Sequence, residues 1–572
     1  MHLPISISLL TLLPDLFGFS TEVLAKKSCR VQPGDPGFPS VQQWSQLSAQ
    51  VGGRLVQVVP SAKFCHSLPA GNCTQDQWTS TTFRSTIPGA MDAYNWEQDY
   101  SSNPPSLCFQ NGTTCDQGNV PLYAINASSG FDIQAGVKFA AKHNLRVAIK
   151  ASGHDYLGRS TAKNSLLLWT RNLRNISFTG HFVRGGKDYG SAVTVGSGAP
   201  LNAIYTATKA VGKMFVGGTA ATVVAAGGYV QGAGHSAFSP LLGLAADNAL
   251  EFQVVVASGD IKTANEFENP DLFYALRGGG AGSWGVIISA TLRTYPIFNA
   301  TQHVVVVFAP TNASIGTIMT LHAKHIFDWD SKRAGQYFYA INGGSQGNFA
   351  AFSTYFPNST ADDAAAAMKP LLDDVQAMNF TILSQNTTVA LANDLVFSPD
   401  DQLGVDAILG SRLIPADAYR NDPVSIGNSY TKLLELGAAQ IIGHLVAGGK
   451  VAENANIDSA VNPKWRTAKA HVVAAVGWGD STPLSVVEFI KESMTNQAVP
   501  ILANMTGQAD SGAYSNEADV REPNFQTTFF GGGARYQKLL QVKRKYDPND
   551  LFIVAAGVGS EDWDAAGLCR VH

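Results

Sequence analysis

Beyond Phe19 the chain has no apolar run of about 18 residues or more, so no membrane-spanning helix is expected. Charge is sparse and nearly balanced. Charged residues make up 15%, the formal net charge is -4 and the pI is about 6.3, which leaves no basic surface of the kind that holds nucleic acid. Cysteine is scarce as well, with six in 572 residues. None stands in a CxxC pair and no HExxH occurs, so spacing predicts no metal site. No internal repeat or low-complexity linker stands out. Glycine, at 55 residues, is plentiful. With the length, it points to a loop-rich globular protein of two or three domains.

Leu3 to Phe19 is apolar and gives way to small and polar residues from Ser20 to Ala25, the pattern of a signal peptide over 1–25. An ordinary N-terminal helix is the alternative, because His2 replaces the usual Lys or Arg and Pro14 and Asp15 interrupt the run. Sequons at Asn72, Asn111, Asn126, Asn175, Asn299, Asn312, Asn358, Asn379, Asn386 and Asn504 agree with a secreted glycoprotein. The cysteines form an even set. Closeness in sequence predicts Cys65–Cys73 and Cys108–Cys115, leaving Cys29 to bridge to Cys569 and staple the termini.

From Pro121 the pattern alternates. "PLYAINA", a serine-capped helix carrying Ile133, Val137 and Ala140, and "LRVAIKA" read as a βαβ unit. "ALEFQVVVASGDIKTA" reads as a hairpin turned at Gly259-Asp260. Between about 299 and 506, strands such as "GQYFYAI" and "KAHVVAAVGW" alternate with helices as a separate α+β lobe. "ARYQKLLQVKRKY" reads as a late helix stopped by Asp547-Pro548.

The segment Gly280 to Gly285 matches GxGxxG, but a helix precedes it and a β-branched run follows, the reverse of a dinucleotide fingerprint. The loops "KASGHDYLGRS" and "VGGTAATVVAAGGYVQGAGHS" are better placed to hold an anion, because their glycines let backbone N–H groups approach a pyrophosphate.

These loops, with Asp132-Ile-x-Ala135, "GLAADNALE", "DLFYALRGGG", "YSNEAD" and "YDPNDLF" in that order, resemble the berberine-bridge-enzyme-like branch of the vanillyl-alcohol oxidase flavoproteins. The resemblance implies a two-subdomain FAD-binding domain of the p-cresol-methylhydroxylase type, an α+β substrate domain with an antiparallel sheet, and an overall α+β class. It implies a covalent bond from His154 to the flavin 8α-methyl, a histidine that in isolation would read as structural. Ser152, Gly153, Asp155, Gly158 and Ser160 would line the diphosphate and ribityl chain, joined by Gly218, Thr222, Val223, Gly227 and Gly228 of the second loop. Asp247 and Asn248 would lie under the cofactor. Relatives often add a cysteinyl tether, but Ala220 and Ala221 stand at that place here, so a single tether is expected. Val223 is either the valine that leaves room for O2 or an ordinary buried valine.

For catalysis the resemblance implicates Tyr514 and Glu517, the latter where relatives carry Tyr or His; it could be a base, an anchor or turned away. Aligning Trp478 with the family's tryptophan puts His471 at a polar catalytic-site position, although a satisfied core or rim histidine is the competing reading. His235 reads as structural or flavin-side. The expected organisation is a signal peptide over 1–25, an N-terminal extension over 26–116, an FAD domain over 117–298, a substrate domain over 299–506 and a C-terminal segment over 507–572 that returns to the flavin. The expected activity is a secreted, FAD-dependent oxidase taking a hydride from an alcohol or sugar carbon, with O2 reduced to H2O2. An oxidative cyclase or amine-type oxidase and a flavin-free carbohydrate-binding glycoprotein are the alternatives. Its partners would be a small-molecule substrate and O2, without nucleic acid or membrane, and a monomer is favoured.

Overall fold

The computed structural model describes residues 29–398, 400 and 402–571; the signal segment expected over 1–25 lies outside them. Among the described residues no helix is long and apolar enough to cross a membrane. The class is α+β, with three main sheets.

The first sheet contains the expected βαβ unit. Ser129 caps the helix Gly130–Lys142 in a capping box with Asp132, and Asp132 also pairs with Arg54 at 2.5 Å. The strands Tyr123–Asn126 and Val147–Lys150 are not neighbours, because Leu166–Trp169 inserts between them and runs parallel to both. A short strand, Leu55–Gln57, closes the other edge antiparallel to Tyr123–Asn126.

The second sheet is antiparallel, with five strands ordered Ile261–Ala264, Ala249–Val255, Val286–Arg293, Ala192–Gly196 and Ile176–Thr179. The predicted hairpin is its edge, with Gly259 at the left-handed φ of 80° that the turn requires. Helix Pro270–Leu276 precedes the GxGxxG segment and strand Val286–Arg293 follows it, as the sequence requires for a segment that is not a dinucleotide fingerprint.

The third sheet has seven antiparallel strands in the order Thr381–Leu391, Asn299–Ala309, Asn348–Pro357, Gly335–Ile341, Gln440–Leu445, Ala468–Trp478 and Asp406–Pro415. Its side chains alternate between faces. Phe338, Ala340, Ile441, Val472 and Ala474 pack under the helices Asn312–His325, Ala361–Ala377 and Pro423–Glu435. Tyr337, Tyr339, Ile442, His444, Val473 and Ala475 point the other way, into a cavity. After the sheet the chain returns to the cofactor-type lobe, where Tyr514, Phe530, Tyr536 and Leu539 join its core. All six cysteines are paired as expected, Cys29 with Cys569, Cys65 with Cys73 and Cys108 with Cys115.

Asp406, at the start of an edge strand, is 2% exposed and neither carboxylate oxygen has a hydrogen-bond partner. Burial pushes its pKa up to about 7; the charge of Glu97 adds to this and Lys491 opposes it. As pH rises from the ordinary carboxylate range through about 7, the unfolded chain gives up a proton that the folded chain keeps, so stability falls. Asp406→Asn is therefore expected to raise the melting temperature near pH 8 and much less near pH 4, with a gain of at most about 4 kcal/mol. Equal effects at both pH values would contradict this.

Candidate functional site

One cavity of about 660 Å³ runs from the turn at His154, past the loop containing Gly227 and Gly228, to the open face of the seven-stranded sheet. Its volume suits a ligand of cofactor size.

At one end, strand Val147–Lys150 delivers the turn Ala151–Ser160. Gly153 has φ of 114°, a conformation that a side chain would strain. Among the described residues, no backbone carbonyl takes the N–H of Ser152, Gly153, His154 or Asp155. That is the arrangement of an anion cradle. His154 Nε2 is hydrogen-bonded to the Thr222 hydroxyl at 2.5 Å, while Nδ1 lies 3.3 Å from a buried Asp92 carboxylate oxygen that has no hydrogen-bond partner. Ser197 Oγ and Gln231 Oε1, on residues that line the cavity, are buried with no protein partner. Such atoms fit a polar ligand that would satisfy them.

Arg159 ties this turn to the C-terminal segment. It pairs with Asp155 at 2.6 Å and donates to the Ser515 carbonyl at 3.1 Å and to Asn516 Oδ1 at 3.0 Å. Asn516 in turn donates to the Gly228 carbonyl at 2.9 Å and to the Tyr514 hydroxyl at 2.8 Å.

At the other end Glu517 meets three histidines. His235 Nε2 lies 3.2 Å from Oε1, and His471 Nδ1 and His444 Nδ1 lie 3.5 Å and 3.9 Å from Oε2. Burial alone would raise the Glu517 pKa, but His235 beside it, with a smaller contribution from His444, brings it below the ordinary carboxylate value. Burial holds His444 and His471 well below the ordinary histidine value, so both are neutral at pH 7. Burial, with the charge of Glu517 adding to it, raises the Tyr514 phenol and keeps it protonated.

Most of the residues singled out in the sequence converge here. Ser152, Gly153, His154, Asp155, Ser160, Val223, Gly227, Gly228, Tyr514 and Glu517 all line the cavity. Glu517 is turned inward, and His235 is its hydrogen-bond partner as well as a lining residue. His471 is fully buried behind His444, its partner across the strands. Gly158 does not reach the cavity; its φ is 74° and a Cβ there would lie 2.6 Å from the Trp96 ring. Gly218 and Thr222 stand behind the lining, Thr222 acting through His154.

Asp247 and Asn248 differ from the expectation and are not brought to the cavity. Asp247 is engaged by Arg466 at 2.7 Å, and Asn248 by the Leu242 and Leu244 carbonyls and the Tyr295 hydroxyl. Their hydrogen-bonding capacity is taken up within the protein, so no cofactor contact is assigned to them. Asp92 and His444 are site residues that the sequence reading missed. The alternation of Gln440, Ile442 and His444 along one strand was the available signal for His444, and Asp92, in a loop, offered none.

Comparison with known proteins agrees with this geometry. A model of the FAD binding domain matches residues 121–265, and a model described as berberine and berberine like matches 513–559. An uncharacterized FAD-linked oxidoreductase of Arthroderma benhamiae is 38% identical over 99% of this chain and 100% of its own length. FAD-linked oxidoreductase patO of Aspergillus clavatus is 31% identical over 95% of each. A crystal structure of a VAO-type flavoprotein from Myceliophthora thermophila superposes with a TM-score of 0.84 at 30% identity, covering 95% of this chain and 100% of that one.

Proposed function

The chain belongs to the berberine-bridge-enzyme-like FAD-linked oxidoreductases of the vanillyl-alcohol oxidase type, and within that family we propose that it is a secreted oxidase of a small alcohol or sugar-type substrate, with FAD attached through His154 alone. The observation that carries the reading is the single cavity joining the His154 turn to the Glu517 cluster. When bound, FAD supplies a two-electron acceptor: the substrate C–H bond breaks with its pair leaving as hydride, and O2 takes the two electrons with two protons as H2O2.

The remaining chemistry belongs to the chain. Asp92 and Thr222 orient the His154 ring for attachment. The N–H groups of Ser152 to Asp155, which no backbone carbonyl takes among the described residues, would hold the diphosphate. Arg159 and Asn516 lock the Tyr514–Glu517 segment against the cofactor loops, which sets the distance between the two ends. Glu517, ionised, accepts the substrate hydroxyl proton as the carbon becomes a carbonyl, and Tyr514 donates to the same oxygen. The sheet side chains Tyr337, Ile442 and Val473 wall the substrate and exclude water. Ala220 lines the cavity and Ala221 is buried, and neither has a thiol for a second tether. Pairing of all six cysteines favours an oxidising compartment and so the secreted reading.

Amine-type oxidation or oxidative cyclisation is the second reading, favoured by the Glu517 carboxylate, which could pair with an ammonium group. The test is acid precipitation followed by peroxide release from alcohols, sugars and amines. A pellet that stays yellow and peroxide from alcohols or sugars are expected. A colourless protein sinks the flavoprotein reading, and reduced flavin that O2 does not reoxidise sinks the oxidase.

A further inference from the structure

We propose that His235, His444, His471 and Glu517 bind one divalent transition-metal cation of the zinc class, on the cavity side where a substrate oxygen can add as a fifth ligand. The metal site stands on its own geometry; only the substrate ligand rests on the reading of the cavity given above. No spacing in the sequence predicted it, because the four residues come from four separate stretches that meet only in the fold.

Their candidate ligand atoms all lie within 4.8 Å of one another. Around a tetrahedral centre with bonds of about 2.0–2.1 Å, neighbouring ligand atoms stand about 3.3 Å apart. His235 Nε2 to Glu517 Oε1 is 3.2 Å, His444 Nδ1 to His471 Nδ1 is 3.2 Å, and His471 Nδ1 to Glu517 Oε2 is 3.5 Å. The His444 Nδ1 to Glu517 Oε2 edge, at 3.9 Å, is the longer one. The His235 edge runs to one Glu517 oxygen and the His471 and His444 edges to its second oxygen, and with one atom per residue the set lies within 4.8 Å, so the side chains would draw in slightly around an ion.

The scaffold is rigid. His444 and His471 sit opposite each other on adjacent central strands, so sheet register fixes their separation. His235 follows the tight helical turn Val230–Gly232, and Glu517 is on the segment that Arg159 and Asn516 anchor.

The donor set names the metal class. Three imidazoles and one carboxylate suit zinc, copper or iron, whereas magnesium and calcium prefer oxygen alone. On metal binding the three imidazoles are neutral, any proton on His235 being displaced, so with the one carboxylate they carry a single negative charge and a divalent cation leaves one positive charge facing the cavity. That charge matches a deprotonated hydroxyl, enol or carboxylate oxygen of a substrate. A carboxylate that ligates through one oxygen keeps the other to accept a proton.

His235 Nδ1 and His471 Nε2 are buried with no hydrogen-bond partner. The two rings are thus oriented by the cluster itself, and a central cation would offset the cost of leaving those nitrogens unpaired. Histidine ligands that lack an outer hydrogen bond bind metal more weakly, so the ion is expected to exchange during purification.

The test therefore adds the metal back. Flavin-containing protein is stripped with a chelator, dialysed, and titrated with Zn(II) or Co(II), with bound metal counted by elemental analysis. Wild type is expected to hold about one equivalent per chain, and Co(II) to give ligand-field bands to the red of the flavin absorption. Glu517→Gln and His444→Ala, each checked for unchanged flavin content and a cooperative melt, should bind at least about tenfold more weakly. Wild type that holds no metal after dialysis, or variants that bind as well as wild type, would overturn the proposal. If a variant fails to fold, the wild-type metal count and the Co(II) spectrum still decide it. The flavin reading fails separately, as a colourless protein whose metal count can still be measured.

Discussion

His154→Ala is expected to give protein whose flavin is wholly released by acid. His154 presents the one imidazole of the turn to the cavity, hydrogen-bonded through Nε2 to Thr222 and with Nδ1 3.3 Å from an Asp92 carboxylate oxygen. With alanine at 220 and 221 no thiol offers a second bond, so losing one residue removes the whole covalent link. The cradle of N–H groups and the contacts through Arg159 remain, and FAD should still bind reversibly. Reversible binding makes stability depend on FAD concentration, because a ligand that binds only the folded state stabilises it by mass action. The variant should therefore melt lower than wild type and recover as free FAD is added, whereas wild type should not respond. Absorbance of the acid pellet and supernatant reads the first effect and a thermal melt with and without FAD the second. Flavin that stays in the variant's pellet would refute the assignment of the tether.

What the sequence disclosed was local. Strand Gly335–Ile341 matches the segment "GQYFYAI" residue for residue, and the hairpin turns at Gly259-Asp260, because period-2 patterning and turn chemistry act over a few neighbours. The GxGxxG segment was rejected on the same local grounds. The insertion of Leu166–Trp169 between the strands of the βαβ unit was not legible, since strand order is set by distant pairing. The site followed the same division. The turn at His154 could be read as a motif, but the meeting of His444 with His471 exists only once the Gln440–Leu445 strand lies against Ala468–Trp478 in one register. Asp247 shows the converse limit: a motif locates a loop without saying where its side chain turns, and Arg466, far along the chain, decides that.

Glu517→Gln is expected to lower kcat by about 10²–10⁴-fold while leaving covalent flavin content unchanged. Glutamine keeps an oxygen that His235 Nε2 can donate to, so the segment should hold its place, and what disappears is the negative charge and the ability to take a proton. A fall in kcat with little change in KM would mark a group that acts in the chemical step, whereas a merely structural role would disturb both together with the melting temperature. The pH dependence gives an independent sign. Burial raises the Glu517 pKa, but His235 and His444 together bring it below the ordinary carboxylate value, so the base is already ionised through the neutral range and activity is lost only as pH falls through that depressed pKa. The acid limb of kcat/KM in wild type should therefore lie below the usual glutamate pKa of about 4.3, and the variant should lack it. The same depressed pKa means that the charge stabilises the fold above the unfolded pKa and that this contribution too is lost on acidification, so the two must be separated by measuring rates over a range in which the melting temperature is flat. An unchanged acid limb in the variant would move the proton acceptor away from Glu517.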